Sequence, residues 1–432
     1  MTSAPPSVPS RASAYASLRR ALLRPEWGLV LAVAAVVVLT GLLDDRHNYW
    51  YNPGDSAINV LRQTSMLGIF SLGAAIVIIS GGIDLSSGSV IAFSGSICAT
   101  LMVLMAPEEM KAARLLGLGT ISTAIVGTLV VGLLIGSLHA WLITVVGLPP
   151  FVATLATLVG LRSLGRAIVE NVTAATWGGR STQIQIYDSR FRYLATSVWI
   201  PAVLFVVLAG LAWLLLSRTV IGRHLHALGG NEQAARLSGI QTDRLKWLAY
   251  CISAVLSSIA GILYIGDQSA AHPQTLGQGY ELNAIAAAVV GGCSLRGGVG
   301  TIPGTVLGVL FLRTVIDGVA KVIKTGADVY EGLIVGSVVV VAVAFTQFRQ
   351  AGGRGKRFLS GPLGIATAIN LSLLAGVLAA LLAPKTFLGE GMLALITGGV
   401  TLLVLIVLRW IEGRRTGNAR TAPLPSDKLR SA

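Results

Sequence analysis

Long apolar segments separated by short polar stretches dominate the pattern of this chain. A helix needs roughly 20 apolar residues to cross a hydrocarbon core of about 30 Å, and the segments lack the alternation of a transmembrane barrel strand. The pattern therefore predicts an all-α, polytopic transmembrane helical bundle with about 10 core spans and two further C-terminal spans. The predicted helices are 27–43, 66–80, 88–106, 115–146, 150–167, 196–216, 246–265, 283–294, 301–320, 329–346, 363–383 and 391–410, of which 150–167 and 283–294 are short or polar enough to cross only in part.

Composition agrees with a membrane protein. Of the 432 residues, 53% are hydrophobic and 12% are charged, whereas a soluble domain carries about 25% charged residues. The net charge of +14 comes mainly from the tails and from loops between apolar segments. This distribution indicates membrane topology, and we expect no nucleic-acid partner. The three cysteines lie in apolar segments without metal-like spacing, so we interpret them as core residues: Cys98, Cys251 and Cys293.

The basic residues also predict an orientation. An even number of crossings places both termini on one side, and the loops on that side carry most of the Lys and Arg. The positive-inside rule makes this side the cytoplasm, so we expect both termini and the loop 217–246 there. The segment 162–192 is an exception, because we place it outside although it holds five arginines. The first apolar run has no small-residue cleavage site, so we expect an uncleaved helix.

No motif for catalysis is visible. The sequence lacks a G-x-x-x-x-G-K-[ST] phosphate loop, a nucleotide-binding fingerprint and any His/Cys/Asp/Glu cluster with metal-ligand spacing. We therefore expect no enzyme activity, no metal and no cofactor in this chain. Energy for transport would come from an ion that crosses the helices or from a separate subunit. Acidic residues near the spans are few, which disfavours the ion-coupled alternative.

One acidic residue, Asp84, interrupts an apolar region in SGGIDLSSGSVIAFSGS, residues 80–96. Glycines on either side allow a sharp break of the backbone, so this first elbow either joins two spans or lines a permeation route. A second elbow is expected in GGCSLRGGVGTIPGT, residues 291–305. We interpret the shared spacing as a trace of internal duplication, because Gly291, Gly292, Leu295 and Gly298 repeat the pattern of Gly81, Gly82, Leu85 and Gly88.

A hydrophilic stretch, GRHLHALGGNEQAARLSGI at 222–240, contrasts with its apolar surroundings. Asn231 is a plausible N-cap for one or two helical turns that end before Gly239, with glycine turns on both sides. So short a helix is marginal alone in water. It either docks on a partner protein, contacts anionic lipid head groups, or is a polar loop without a special role.

Four stretches occur in order: GGIDLSSGSV, LPPFVATLATLVGLRSL, GRHLHALGGNEQAARLSGI and GGCSLRGGVGTIPGTVLG. Together they resemble the membrane permease of bacterial ABC importers for ribose, xylose and related monosaccharides. The resemblance implies a homodimeric inner-membrane permease, a cytoplasmic ABC ATPase that binds ATP and Mg, and a periplasmic sugar-binding protein. The alternatives are a branched-chain amino acid permease of a related ABC importer and an ion-coupled secondary transporter.

The resemblance also implies site residues. ATPase-coupling contacts or turn formers would be Gly222, Arg223, Gly229, Asn231, Glu232, Ala235, Arg236 and Gly239. The two elbow motifs correspond to Gly81, Gly82, Asp84, Leu85 and Gly88, and to Gly291, Gly292, Ser294, Leu295, Gly297 and Gly298. A sugar route needs scattered neutral polar groups, for which we add Phe151, Thr154, Thr157 and Asn283.

The chain departs from this family at three places. Val299 replaces a commonly basic residue, Ile316–Gly318 replaces an Asn-Asn-Gly-type turn, and the chain continues beyond residue 350. We predict a basic tail at 1–24, a permease domain at 25–350 with the coupling loop 217–246, a basic linker at 351–362, a transmembrane hairpin at 363–410 and a basic tail at 411–432. The hairpin either braces the core in lipid or recruits another protein.

Overall fold

A computed structural model describes residues 25–44, 48–322, 361–382 and 395–407, together with 332, 335–337, 340, 392 and 409. The tails 1–24 and 411–432, and most of the predicted helix 329–346 and of the linker 351–362, lie outside the described residues. The fold divides into two units, one that ends at Val343 and one that starts at Ala344. Each is described by itself.

The first unit contains fourteen described helices and two short strands. In chain order they are α1 (Pro25–Leu43), α2 (Asn48–Tyr51), α3 (Pro53–Ile79), α4 (Ser87–Met105), α5 (Pro107–Lys111), α6 (Leu118–Thr144), α7 (Pro150–Trp177), β1 (Ile184–Gln185), α8 (Ser189–Thr196), α9 (Trp199–Arg218), α10 (Val220–Gly230), α11 (Glu232–Leu237), α12 (Thr242–Asp267), β2 (Ala270–Ala271), α13 (Tyr280–Val290) and α14 (Ile302–Val322). The second unit contains α15 (Gly361–Leu382) and α16 (Leu395–Val407).

Within the described residues, seven helices are long and apolar enough to cross a membrane, namely α3, α4, α6, α7, α9, α12 and α14. Shorter apolar stretches lie in α1, α13, α15 and α16. The prediction of a helical, multi-pass membrane protein is confirmed. The count of ten core spans plus two stays a prediction.

The core of the first unit forms around α12, which packs against α6, α3 and α4. Glycines allow these helices to approach closely, as is common in membranes. A Cβ at Gly136 of α6 would press on the backbone of Cys251, and one at Gly73 of α3 would press on Ser253. Near the C-terminal end of α12, Tyr264 packs against Phe70 and Tyr280, whose rings stack with centroids 6.0 Å apart.

The predicted end of the helix at residue 167 is wrong, because α7 continues to Trp177. Arg162 and Arg166 therefore lie in a candidate span and not in an outer loop. Charged residues do not break this helix because both are partnered: Arg166 Nε lies 2.6 Å from Glu170 Oε1 one turn away, and Arg162 binds backbone carbonyls. Gly178, with φ of +74°, ends the helix instead.

Two short strands depart from the all-helical prediction. Strands β1 and β2 pair antiparallel, with Ile184 opposite Ala271, and the Ile186 backbone N–H adds a bond to the Ser269 carbonyl (2.8 Å). This ladder joins the segment after α7 to the segment after α12. Asp188 fixes the first of these segments, since its side chain accepts from the Phe191 backbone N–H at 2.8 Å.

A polar network ties α14 to α2 and to the start of α3. Asp317 accepts hydrogen bonds from the Tyr49 hydroxyl (2.7 Å) and from Asn59 Nδ2 (3.2 Å), and pairs with Lys321 Nζ at 2.8 Å. Burial and the neighbouring Asp317 raise the pKa of Tyr49 well above its ordinary value, so the phenol remains a donor. Asp317, one of the departures from the family pattern, thus has a defined structural use here.

Helices α15 and α16 of the second unit lie at the positions of the predicted helices 363–383 and 391–410. Gly398 of α16 lies against the Ser372 and Gly376 backbone of α15, a close approach that small residues permit. The role of the predicted hairpin, as a brace or as a binding site for another protein, stays a prediction.

Candidate coupling and translocation site

The short helix predicted after Asn231 is present as α11. The Asn231 side chain accepts from the Ala234 backbone N–H at 3.0 Å, which is the N-cap arrangement. Gly239 follows the helix with φ of +82°. The cap, helix and stop are therefore confirmed. Leu237, at the end of α11, is 90% exposed, so an apolar side chain stands uncovered in the first unit.

The glycine turn predicted before Asn231 is wrong. Residues Val220–Gly230 form α10, which includes Gly222, Gly229 and Gly230. Thr219 caps this helix by accepting from the Gly222 backbone N–H (3.1 Å), and its apolar face is buried at Leu225 and Leu228. Burial of that face outweighs the low helix propensity of glycine.

Side chains proposed to contact a partner also tie α11 to the start of α12. Glu232 Oε1 lies 2.7 Å from Lys246 Nζ, and Arg236 Nη2 lies 3.3 Å from Asp243 Oδ1. Ala235, between them, is buried. Two ion pairs thus connect α11 to the start of α12. Arg223 on α10 is exposed.

The first elbow is braced by Asp84, which is buried between α3 and α4. Its Oδ1 accepts from the Ser86 backbone N–H (2.8 Å) and hydroxyl (2.6 Å). Its Oδ2 accepts from the Ser253 hydroxyl of α12 (2.8 Å). A buried polar group needs such partners, so Asp84 joins the elbow to the central helix. Its part in a permeation route stays a prediction.

The two elbows share the same helix-ending turn, but the turn in the second elbow lies one residue later than the predicted spacing. Gly81 and Gly292 have φ of +86° and +96°, whereas Gly291 is αR. After α3 the N–H groups of residues 80, 81 and 82 bond to the carbonyls of 76, 78 and 77, and after α13 those of 291, 292 and 293 bond to 287, 289 and 288. The letter-for-letter match of Gly81 with Gly291 is therefore wrong in conformation. Both turns are glycine C-caps.

Three stretches far apart in sequence meet at one point, which we name the glycine contact (Gly81, Gly229, Gly297 and Gly298). The Gly298 backbone N–H donates to the Ile79 carbonyl at 2.9 Å and joins the two elbows. A Cβ at Gly229 would press on the backbone of Ile79, Gly81 and Gly298. Only glycine permits so close an approach. Gly229 of α10 therefore lies against both elbows.

The predicted route residues on α7 lie against the first elbow. The Thr154 hydroxyl is buried and donates to the Ile83 carbonyl of the elbow at 3.4 Å, and Thr157 Oγ1 lies 2.7 Å from His139 Nε2. His139 and Tyr250, whose rings are 6.2 Å apart, complete this polar cluster. Sequence reasoning missed both, because a single His or Tyr in an apolar helix has no local signature.

The remaining predicted residues are spread around the elbows. Phe151 is half exposed at the start of α7, and Leu85 is half buried. Ser294 is buried in the second elbow, where its N–H donates to the Val299 carbonyl (2.9 Å). Asn283 is buried in α13. Their assignment to a translocation route stays a prediction.

Comparison with known families agrees with this arrangement. A family model described as the permease component of a branched-chain amino acid transport system matches residues 56–343. The chain belongs to this family. The family description names the permease component of a transport system, which agrees with the seven candidate membrane spans of the described residues.

Individual relatives match this chain over most of their own length. The ribose import permease protein of Escherichia coli K12 is 34% identical over 287 residues, or 66% of this chain and 84% of the relative. A probable ABC transporter permease protein of Sinorhizobium fredii is 36% identical over 334 residues, or 76% and 91%. The D-allose transport system permease protein of E. coli K12 is 29% identical over 339 residues, or 78% and 96%. No solved structure matches the chain significantly.

Proposed function

We propose that this chain is the membrane-spanning permease subunit of an ATP-binding cassette importer for a monosaccharide such as ribose or xylose. The observation that carries the proposal is its similarity to permeases named for ribose and D-allose over most of their length. A separate ATPase supplies the energy, and a periplasmic sugar-binding protein delivers the sugar. ATP and Mg belong to the ATPase, and this chain needs no cofactor.

Helices α10 and α11 of the coupling loop 217–246 support an ATPase-driven mechanism. Leu237, at the end of α11, is 90% exposed, and its burial in an apolar pocket of the ATPase would favour docking. Movement of α11 and α10 would reach the elbows through the glycine contact, because Gly229 touches both. Closure of the ATPase would then switch the access of the route between the two sides.

The proposal includes a homodimer in the bacterial inner membrane with both termini in the cytoplasm. The distribution of basic residues supports the orientation. The domain division proposed from the sequence, with the coupling loop 217–246 inside the permease domain 25–350, belongs to the same proposal. The hairpin 363–410 acts in it as a lipid-facing brace.

Branched-chain amino acids are the second candidate substrate, because the family description names them. Purified chain, ATPase and binding protein in proteoliposomes should take up D-ribose, D-xylose or D-allose in an ATP-dependent manner and leave L-leucine outside. Leucine uptake alone would favour the second candidate. Uptake that follows an ion gradient without the ATPase would overturn the importer.

Docking of α11 is tested by changing Leu237. Leu237→Asp should abolish co-purification with the ATPase, since a charge cannot enter an apolar pocket without a partner. Leu237→Met keeps an apolar side chain and should assemble normally. Full assembly of the Asp variant, and of a chain in which Glu232 and Arg236 are both replaced, would remove the docking assignment.

A further inference from the structure

The chain between α12 and α13 does not remain at the end of the bundle. After β2, the residues His272–Gly279, here called the re-entrant loop, turn inward. Leu276 and Gly277 are buried. Gly277, with φ of +64°, packs on the Gly88 carbonyl in the first turn of α4. Helix α13 then starts inside the bundle and has only 11 residues.

Arg162 holds this loop from the middle of α7. Its guanidinium donates to the carbonyls of Gln274 (3.1 Å), Leu276 (2.9 Å) and Gly277 (3.1 Å). Helix α7 has 28 residues, so its length is about 42 Å, longer than the hydrocarbon core of about 30 Å. A group bound near the middle of α7 therefore lies deep within the membrane.

Three polar side chains of the re-entrant loop are nevertheless exposed in the single chain: Gln274, Thr275 and Gln278. Lipid tails offer no hydrogen bonds to amides or hydroxyls. Irregular backbone at this depth is tolerated only where it is buried in protein or lines an aqueous cavity. The exposed side of the loop therefore faces something other than lipid.

We infer that Gln274, Thr275 and Gln278 line the translocation route and hydrogen-bond the substrate, with Arg162 as the residue that positions them. Amides and hydroxyls both donate and accept, as sugar hydroxyls do, and none of these three side chains is charged. The sugar part of this inference rests on the proposed function. The aqueous exposure of the loop does not.

Thiol labelling tests the exposure in the assembled transporter. Gln278→Cys in proteoliposomes should react with a water-soluble methanethiosulfonate at least about tenfold faster than Val206→Cys, because a thiolate forms only in water. Val206, near the middle of α9, is apolar and 67% exposed, so it is the lipid-facing control. The wild-type chain gives the background, since Cys98, Cys251 and Cys293 are buried.

Equally slow labelling of Gln278→Cys and Val206→Cys would overturn the inference. So would oxidant-induced cross-linking of two copies through Gln278→Cys without labelling, because the loop would then lie in a contact between copies. Slower labelling of Gln278→Cys in the presence of D-ribose or D-allose supports contact with the sugar.

Uptake separates this inference from the proposed function. Gln278→Ala should reduce ATP-dependent uptake of the transported sugar by at least about tenfold, a size expected for a lost polar contact to substrate. Ser122→Ala, at an exposed position near the start of α6, should leave it unchanged. Normal uptake by Gln278→Ala would overturn the sugar contact alone. A wild-type chain that transports none of these sugars would overturn the proposed function, while the labelling result would still decide the exposure.

Discussion

The glycine contact and the re-entrant loop both hold irregular backbone inside the bundle, but by different means. At Gly229 main chains touch because no side chain intervenes. At Arg162 one long side chain fills the space and donates to three carbonyls. Close-packed backbone transmits displacement with little slack, whereas a long side chain can adjust. The glycine contact is therefore suited to pass a movement of α10 to the elbows, whereas Arg162 is suited to hold the re-entrant loop in place.

The largest effect is expected at the glycine contact. Gly229→Ala should lower the free energy of unfolding by about 3 kcal/mol, because a Cβ would overlap backbone atoms that cannot rotate away. Thermal unfolding in detergent measures this, and ATP-dependent uptake should fall with it. Gly230→Ala is the matched control, since a Cβ there meets nothing within 4 Å. Equal stability of the two variants would show that the backbones do not touch.

A smaller effect is expected at Arg162, which binds the re-entrant loop. Arg162→Lys retains the charge but cannot present the guanidinium fork, and loss of a charge-assisted hydrogen bond costs about 2 kcal/mol. Thermal unfolding and the labelling rate of Gln278→Cys should both change. Arg166→Lys, one turn away in an exposed pair with Glu170, should change neither. If Arg162→Lys and Arg166→Lys had the same stability and the same labelling rate, Arg162 would not be holding the re-entrant loop.

A third, smaller effect is expected at the first elbow, where Asp84 joins the elbow to α12. Asp84→Asn should lower the free energy of unfolding by about 1 kcal/mol, because one acceptor for Ser86 or Ser253 becomes a donor. Unfolding in detergent again measures the change. The comparison variant is Asp243→Asn, whose carboxylate is exposed. An Asp84→Asn chain as stable as wild type would mean that the elbow does not depend on this carboxyl group.

The smallest effect is expected at the ion pairs of α11. Glu232→Gln should lower stability by less than about 0.5 kcal/mol, since exposed ion pairs contribute little and are screened by salt. Unfolding at low and high salt measures the difference. A loss above about 1 kcal/mol at low salt that disappears at high salt would show that α11 is held mainly by its ion pairs.

Local signals in the sequence were sufficient for some elements. The Asn231 cap and the Gly239 stop predict α11 because both act within a few residues. They were insufficient for α10, where burial of Leu225 and Leu228 outweighs two consecutive glycines. Arg162 could not be recognised as a span residue, because its carbonyl partners lie more than a hundred positions away in the chain.

Depth was also invisible in the sequence. The polar stretch after Asp267 has the composition of an ordinary outer loop, and its inward turn is shown by the contact of Gly277 with Gly88 and by the bonds to Arg162. For the same reason Gln274, Thr275 and Gln278 were not among the predicted route residues. Thr154 and Thr157 were, because a Pro-Pro break beside them is a local signal.

The one-residue offset between the two glycine caps affects any attempt to superimpose the halves of this chain. Matching by letters aligns Gly81 with Gly291, while matching by conformation aligns it with Gly292. A shift of one residue turns a helix by about 100°. A symmetry operator derived from the letters would therefore assign to α13 the wrong inward-facing side chains throughout its length.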